Sequence, residues 1–280
     1  MINREDNPEF LNSFLDYSIT ILNKSTNSVK EYNYDIAMFL KYMKIHFKLT
    51  SETDFNKITI NDFPVEILKK ITLNDIHAFI SYLAETNHSK SATRARKVST
   101  IRIFFKYLTV KEKLLEINPA QNLETPKLDK RVPKYLTLED SQKLLQVTCS
   151  DDNRNAKRDF AIITLFLNCG MRLSELIGIN IKDIHFDDAK MTVIGKGNKE
   201  RTIYLNNACM KAITQYLEVR PKEGIDYKSK DALFLSERRE RISRRSVQYI
   251  VEKELKKDRS KTQIMGFTKL DLLEMTRKKL

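Results

Sequence analysis

The sequence predicts a mainly α-helical protein with a small antiparallel β-sheet, organised as a helical domain followed by a mixed α+β domain. Three observations predict this fold class. Apolar side chains recur every three or four positions through roughly the first 110 residues, as in amphipathic helices. A basic stretch containing prolines follows, and beyond it residues 183–205 alternate between apolar and polar side chains, as strands do.

Apolar spacing and capping residues predict the first helices. Serines within 25–28 can cap the second helix, whereas residues 48–65 are polar and irregular, which is typical of a loop. Asn74 is expected to be the N-cap of a later helix, because its side-chain oxygen can accept a hydrogen bond from a first-turn amide. The apolar positions of these helices include Phe10, Phe14, Leu15, Ile19, Ile36, Phe39, Met43, Ile76, Phe79 and Leu83.

The helix predicted from Ser91 has an apolar face and a basic one. Its apolar residues have core spacing, and a second face carries lysine and arginine at i, i+4 and i+7. Such a basic stripe suits a helix that lies in or across a DNA groove, although the solvated cationic face of a helical bundle has the same pattern. The apolar positions are Val98, Ile101, Phe105 and Leu108, and the candidate DNA-binding residues are Lys90, Arg94, Lys97 and Arg102, with Lys106 beside them.

A basic segment containing prolines is predicted to separate the two domains. The helical run ends at Asn118–Pro119, because the residue before a proline disfavours helix. Pro126 and Pro133 lie among lysines and arginines, which indicates an extended linker. We therefore expect a helical domain over residues 1–120, a linker over 121–135 and a mixed domain over 136–280.

The second half combines a buried helix with strands. Residues 159–168 form a nearly continuous apolar run that stops at Gly170, a natural left-handed helix cap. The alternation over 183–194 and 201–205 predicts strands joined by turns, and residues 232–235 are expected to form another short strand.

The charge balance points to a polyanionic partner. Lysine and arginine number 50 against 37 acidic residues, a formal charge of +13, so nucleic acid is the first candidate. A soluble lysine-rich protein from an AT-rich genome would have the same balance. A basic helix expected after Ser243 adds Arg244 and Arg245 to the candidate DNA-binding residues.

Neither a membrane span nor a metal site is expected from the sequence. It contains no run of about 18 apolar residues, and its first residues lack the apolar region of a secretory signal. The cysteines are odd in number and lack metal-ligand spacing, and no histidines pair at helical spacing. We expect a cytoplasmic protein without metal or other cofactor. The residues concerned are Cys149, Cys169, Cys209, His46, His77, His88 and His185.

The turn after Gly170 carries a candidate phosphate ligand, Arg172. An arginine held between two buried helices has lost much of its freedom, and its planar fork matches two oxygens of one phosphate. Glu175 lies near enough in sequence to orient it. The alternative is an arginine that covers a helix end and pairs with Glu175 for structural reasons.

A second candidate, Lys196, lies at the tip of the predicted hairpin between Gly195 and Gly197. Glycines on both sides allow the backbone to approach a ligand closely, and a lysine there can donate a proton or neutralise a phosphate. A nucleotide-binding P-loop does not fit, because glycine follows the lysine where serine or threonine is required. An ordinary hairpin tip with solvated lysines has the same pattern.

Together these stretches resemble the tyrosine recombinase (phage integrase) family, most closely its Xer-like branch. The most specific pieces are Gly170–Leu176, read as Gly-Met-Arg-Leu-Ser-Glu-Leu, and Ile194–Arg201, read as Ile-Gly-Lys-Gly-Asn-Lys-Glu-Arg. The resemblance covers roughly residues 5–258. It implies a helical core-binding (SAM-like) domain, an incomplete catalytic domain, and as partners double-stranded DNA and other recombinase subunits.

The resemblance also implies roles for three residues. Arg172 would clamp the scissile phosphate and stabilise the charge of the transition state, Lys196 would be the general acid for the departing 5′ oxygen, and Glu175 would support the site. Enzymes of this family attack with a tyrosine and form a 3′-phosphotyrosine link, which needs neither metal nor ATP.

The resemblance fails toward residue 280, where the family has His-x-x-Arg and then the tyrosine nucleophile. No histidine follows His185, no tyrosine follows Tyr249, and Leu270 and Leu273 stand roughly where the histidine and arginine would be. We therefore expect a truncated or degenerate member that binds DNA but is impaired in strand cleavage. The alternatives are a non-catalytic regulator of recombination sites or of a full-length recombinase, and a basic helical scaffold without specific DNA binding.

Overall fold

The chain forms two compact units, each with its own hydrophobic core. A computed structural model describes residues 4–86, 88–128, 136–149, 153–195 and 197–259. We call Met1–Lys130 the N-terminal unit and Arg131–Leu280 the C-terminal unit. The predicted fold class, mainly helical with a small antiparallel sheet, is confirmed.

Of the two capping sites predicted in the N-terminal unit, one is confirmed and one is wrong. Ser25 accepts a hydrogen bond from the backbone N–H of Ser28, as expected. The fourth helix, however, begins after Thr72 rather than Asn74, because Thr72 and Asp75 each accept a hydrogen bond from the other's backbone N–H. A short third helix lies at the end of the expected loop. The helices are α1 (Glu9–Thr20), α2 (Thr26–His46), α3 (Val65–Lys70), α4 (Leu73–Glu85) and α5 (Ser91–Val110).

Aromatic rings fill the core of the N-terminal unit around α5. The ring of Phe39 on α2 meets Phe79 of α4 at 5.3 Å and Phe105 of α5 at 5.8 Å between centroids, both edge-to-face. Such pairs add to the free energy gained from burial alone. All four predicted apolar positions of α5, Val98, Ile101, Phe105 and Leu108, are fully buried.

Lys97 does not lie on an exposed basic face as expected, but inside the N-terminal unit. Its Nζ donates a hydrogen bond of 2.8 Å to Oδ1 of Asp35, a fully buried residue of α2, and lies 4.8 Å from the ring centroid of Tyr34. Thr100 donates to Oδ2 of the same carboxylate at 2.9 Å, and Arg96 donates to it as well. A buried carboxylate needs such partners, so Asp35 draws Lys97 inward and ties α2 to α5.

In the C-terminal unit, helices pack around a small sheet. The apolar run over 159–168 lies in α7, which ends where Gly170 adopts the left-handed conformation, φ 57° and ψ 30°, as predicted. Ser243 caps the basic helix α10 by accepting from the backbone N–H of Ser246 at 3.0 Å. The elements are α6 (Leu138–Cys149), α7 (Ala156–Cys169), α8 (Leu173–Gly178), β1 (Ile184–His185), β2 (Lys190–Ile194), β3 (Glu200–Tyr204), α9 (Asn207–Val219) and α10 (Arg244–Arg259).

The sheet has the order β1-β2-β3, and both pairings are antiparallel. Met191 lies opposite Ile203 and Val193 opposite Arg201, so one face of the hairpin packs on the core. The strand expected over 232–235 is not formed as such. Ala232 and Leu235 make only isolated bridges, to Asn180 and Arg241, because no continuous strand runs beside them in the described residues.

Two features are absent from the described part of the chain. None of its helices is long and apolar enough to cross a membrane. Nor do three or more histidine, cysteine, aspartate or glutamate side chains in that part come close enough together to hold a metal ion.

The Asp35 cluster predicts a large stability effect for a nearly isosteric change. Asp35→Asn leaves the buried Lys97 ammonium without its counter-charge, so we expect the free energy of unfolding in urea to fall by about 3–5 kcal/mol. Glu31→Gln is the matched control, because Glu31 is an exposed partner of Arg96 and such pairs contribute about 0–1 kcal/mol. Equal losses in the two variants would contradict a structural role for the buried carboxylate.

Candidate phosphate-binding site

Arg172 lies in a short turn whose backbone is fixed from both sides. Gly170 ends α7, and the next residue, Met171, is fully buried in the core. Arg172 itself is extended, with φ −75° and ψ 152°, and α8 starts directly after it. Its side chain remains 48% exposed, so the guanidinium stands at the surface on an anchored backbone.

The Glu175 carboxylate beneath this turn is fully buried and accepts three hydrogen bonds. Oε2 accepts from the backbone N–H of Arg172 at 2.7 Å and from Nη2 of Arg201 at 2.8 Å. Oε1 accepts from Nη1 of Arg172 at 2.9 Å. Both the backbone and the side chain of Arg172 are therefore set by one carboxylate.

The balance of forces on Glu175 keeps it ionised. Burial by itself raises the pKa of this carboxyl, but the hydrogen bonds from Arg201 and from the backbone and side chain of Arg172 outweigh burial. The pKa of Glu175 is therefore below its ordinary value. One negative charge between two guanidinium groups leaves a net positive charge at this place, which suits a phosphate.

The hairpin between β2 and β3 packs against the same carboxylate at Gly195. A Cβ at Gly195 would lie 3.3 Å from Oε1 of Glu175 and 3.4 Å from the Lys199 carbonyl oxygen, so any larger residue would have to displace one of them. The backbone N–H of Gly195 donates to that carbonyl at 2.7 Å and closes the turn. Gly195 was expected to allow a close approach of the backbone, and the group that its backbone approaches is the Glu175 carboxylate.

Lys196 itself lies outside the described residues, and its convergence with Arg172 stays a prediction. Its chain neighbours on both sides are described. Gly195 lies against Glu175, and Arg201 on the returning strand donates to the same carboxylate.

Arg201 is the residue of this cluster that the sequence reasoning missed as a site residue. On β3 it has the same parity as the buried Ile203, so its side chain starts toward the core. An arginine at an inward position needs a buried anion, and that signal could have identified it. Its Nε is buried without a hydrogen-bond partner in the described residues.

The other candidate DNA-binding residues are surface side chains of the two units. Lys90 and Arg102 are exposed at the start and middle of α5, and Arg94 donates to the carbonyl of Ser89. Arg244 and Arg245 are exposed in the first turn of α10. Among the described residues of the C-terminal unit, the cations that contact Glu175 are Arg172 and Arg201, and Arg244 and Arg245 are not among them.

The comparisons with known proteins identify the family of the chain. The profile of the phage integrase family matches residues 134–268. The tyrosine recombinase XerC of Caldanaerobacter subterraneus is 49% identical over 250 residues, 89% of this chain and 69% of the relative. The chain belongs to the tyrosine recombinase family. A second relative, the tyrosine recombinase XerD of Proteus mirabilis, is 32% identical over 244 residues, 87% of this chain and 71% of that protein.

Solved tyrosine recombinase structures share the fold. The XerH recombinase bound to palindromic difH substrate, a post-cleavage complex, has a TM-score of 0.66 at 18% identity over 95% of this chain and 73% of its own. The Tn1549 transposon integrase with circular intermediate DNA has a TM-score of 0.65 at 16% identity, covering 95% and 84%. The family membership expected from the two motifs is confirmed by the relatives at 49% and 32% identity.

The lowered pKa of Glu175 predicts how Glu175→Gln depends on pH. A carboxyl whose folded pKa is depressed stabilises the fold above its unfolded pKa of about 4.3, and this contribution disappears as pH falls through the folded value. At pH 7 we expect the free energy of unfolding of the variant in urea to fall by about 1–3 kcal/mol, because the three hydrogen bonds to this buried group lose their charged acceptor.

The difference between Glu175→Gln and the parent chain should then shrink as the pH is lowered below about 4. Glu218→Gln, at an exposed glutamate of α9, is the matched control and should change little at either pH. A destabilisation by Glu175→Gln that is the same at both pH values would contradict an ionised Glu175.

Proposed function

We propose that this chain binds duplex DNA in site-specific recombination and that Arg172 holds a backbone phosphate. The observation that carries the proposal is the fully buried Glu175 carboxylate, which fixes Arg172 and leaves its guanidinium half exposed. An anchored guanidinium can form two parallel hydrogen bonds to one phosphate without first losing much conformational freedom.

The same geometry supports a role in phosphoryl transfer. Charge that develops on the phosphate oxygens of the transition state is stabilised by donors that are already in place. Arg172 would supply that stabilisation and Lys196 would protonate the departing 5′ oxygen, as the family resemblance implies. Arg201 would act as a positioning residue, because it shares the Glu175 carboxylate with Arg172.

The remaining contacts would come from other basic residues, of which Arg94 is partly buried and the rest are exposed. Lys90, Arg94 and Arg102 of the N-terminal unit and Arg244 and Arg245 of the C-terminal unit would contact the DNA backbone, supported by the formal charge of +13. Lys97 is not included, because its ammonium is committed to Asp35. The XerH and Tn1549 integrase structures were solved with DNA, which supports DNA as the partner. The proposal includes other recombinase subunits as partners and the cytoplasm as the location.

Replacing Arg172 tests the proposal. We expect Arg172→Ala to weaken binding to a recombination-site duplex about tenfold or more, because one charge-assisted contact is lost. The slope of log affinity against log salt should become shallower by about 0.9, the value for one phosphate. Fluorescence anisotropy over a series of salt concentrations measures both quantities.

Arg154→Ala is the matched control for this experiment. It removes the same charge from an exposed residue near the opposite end of α7, about 20 Å away along the helix. We expect its affinity to stay within about twofold of the parent, because charges that far apart are largely screened. Equal losses in the two variants would mean that Arg172 contributes only net charge.

The sequence-based expectation that these 280 residues do not cleave DNA by themselves stays a prediction. Tyr216 is unsuited as a nucleophile, since it is buried and its hydroxyl oxygen accepts a hydrogen bond from the backbone N–H of Leu235. Phosphoryl transfer requires an in-line nucleophile. We expect no protein–DNA band on a denaturing gel after incubation with a nicked suicide substrate. A band that disappears on mutation of Tyr204, Tyr227 or Tyr249 would overturn this expectation.

A further inference from the structure

Two cysteines meet directly behind the Arg172 turn. The sulfurs of Cys169 and Cys209 lie 3.7 Å apart, although the residues are 40 positions apart in sequence. Cys169 is the last residue of α7, and Cys209 lies in the first turn of α9. The two helix ends are also joined by a hydrogen bond of 2.8 Å from Asn206 to Asn168, so the sulfurs are held as neighbours.

The surroundings make the two thiols unequal. The hydrogen bond from Cys169 lowers the pKa of Cys209 and in turn raises the pKa of Cys169. The backbone N–H of Cys209 is capped by Asn206 at 2.9 Å, which places the thiol at a helix N-terminus, where a thiolate is favoured. Cys209 is fully buried and Cys169 partly exposed, so only a small oxidant would reach the pair.

We propose that Cys169 and Cys209 form a reversible disulfide under peroxide and that this bond displaces the Arg172 turn. The Cys209 thiol releases its proton, and the thiolate attacks one peroxide oxygen and becomes a sulfenic acid as the O–O bond breaks. The other oxygen leaves as hydroxide and takes up a proton to become water. The Cys169 sulfur then attacks the Cys209 sulfur, and the sulfenic oxygen leaves as a second water. Two thiols are oxidised, one peroxide is reduced, and a dithiol reverses the bond.

Forming this bond moves residues that adjoin the candidate site. A disulfide is about 2.05 Å long, so the sulfurs must approach by about 1.7 Å. Cys169 is three residues from Arg172, whose backbone N–H donates to Glu175, and Arg201 is close enough for its charge to act on the Cys169 thiol. A shift of the α7 end therefore reaches the hydrogen bonds that hold Arg172.

The test treats the Cys149→Ser chain with hydrogen peroxide, since Cys149 is exposed and could cross-link two chains. We expect a non-reduced digest to contain one peptide pair joined through Cys169 and Cys209, and dithiothreitol to separate the pair and to raise the intact mass of the oxidised chain by two hydrogen atoms. Hydrogen exchange of the Arg172 amide should be faster in the oxidised chain, because its bond to Glu175 is strained or lost.

The expected effect of the disulfide on DNA affinity rests on the proposed function. We expect the oxidised chain to bind duplex DNA at least about fivefold more weakly than the reduced chain, the lower end of typical coupling between sites. If the reduced chain does not bind DNA, the proposed function fails, while the cross-link and hydrogen exchange still decide the disulfide. If the disulfide forms but hydrogen exchange and affinity are unchanged, the coupling to Arg172 is wrong.

Two variants separate the disulfide from other oxidation. The chain has 8 methionines, which peroxide also oxidises, so Cys149→Ser/Cys169→Ser carries the same methionine damage without the disulfide. This variant should fold, because Cys169 is partly exposed and a serine there can reach solvent. Cys149→Ser/Cys209→Ser is the second control. Absence of the joined peptides in the Cys149→Ser chain, or equal loss of affinity in the Cys169 control, would overturn the proposal.

Discussion

The Arg172 turn and strand β3 depend on one buried negative charge, the carboxylate of Glu175. Removing a carboxylate from water is costly unless donors compensate, and here Arg172 and Arg201 supply them from two different elements. The requirement works in both directions. The turn after α7 and the strand β3 are held together because both must satisfy this carboxylate, and Arg172 gains a fixed position at the surface because it does so.

The N-terminal unit also contains a buried carboxylate bound by cations, but there no site for a phosphate results. Asp35 is as deeply buried as Glu175, and it is also surrounded by cations, Arg96 and Lys97, with Thr100 as a further donor. There Lys97 is buried together with Asp35, which neutralises its charge inside the fold. Arg96 also pairs with Glu31, so two cations face two carboxylates in that cluster. At Glu175 two guanidinium groups share one carboxylate, so positive charge remains where a phosphate could reach it. Stoichiometry and exposure, rather than residue type, distinguish a structural cluster from a candidate binding site.

Local rules predicted most of the fold, and non-local contacts account for the errors. The left-handed cap at Gly170, the β2–β3 hairpin and the cap at Ser243 depend on neighbouring residues, so the sequence predicts them. Lys97 was misplaced because the i, i+4, i+7 pattern of α5 says nothing of Asp35, 62 positions earlier. Arg201 was missed for the same reason. Its partner lies 26 positions away, and only the parity of β3 indicated that it points inward.

Two glycines make the Glu175 cluster sterically possible. Gly170 adopts a positive φ, which lets α7 stop and the chain reverse toward Arg172 within two residues. Gly195 leaves room for the hairpin to lie against Oε1 of Glu175, where a Cβ would be 3.3 Å away. The electrostatic requirement of the carboxylate and the steric freedom of the glycines are therefore not separate features. Arg172 and Arg201 can both bind the Glu175 carboxylate only because the backbone of the turn and of the hairpin comes close to it.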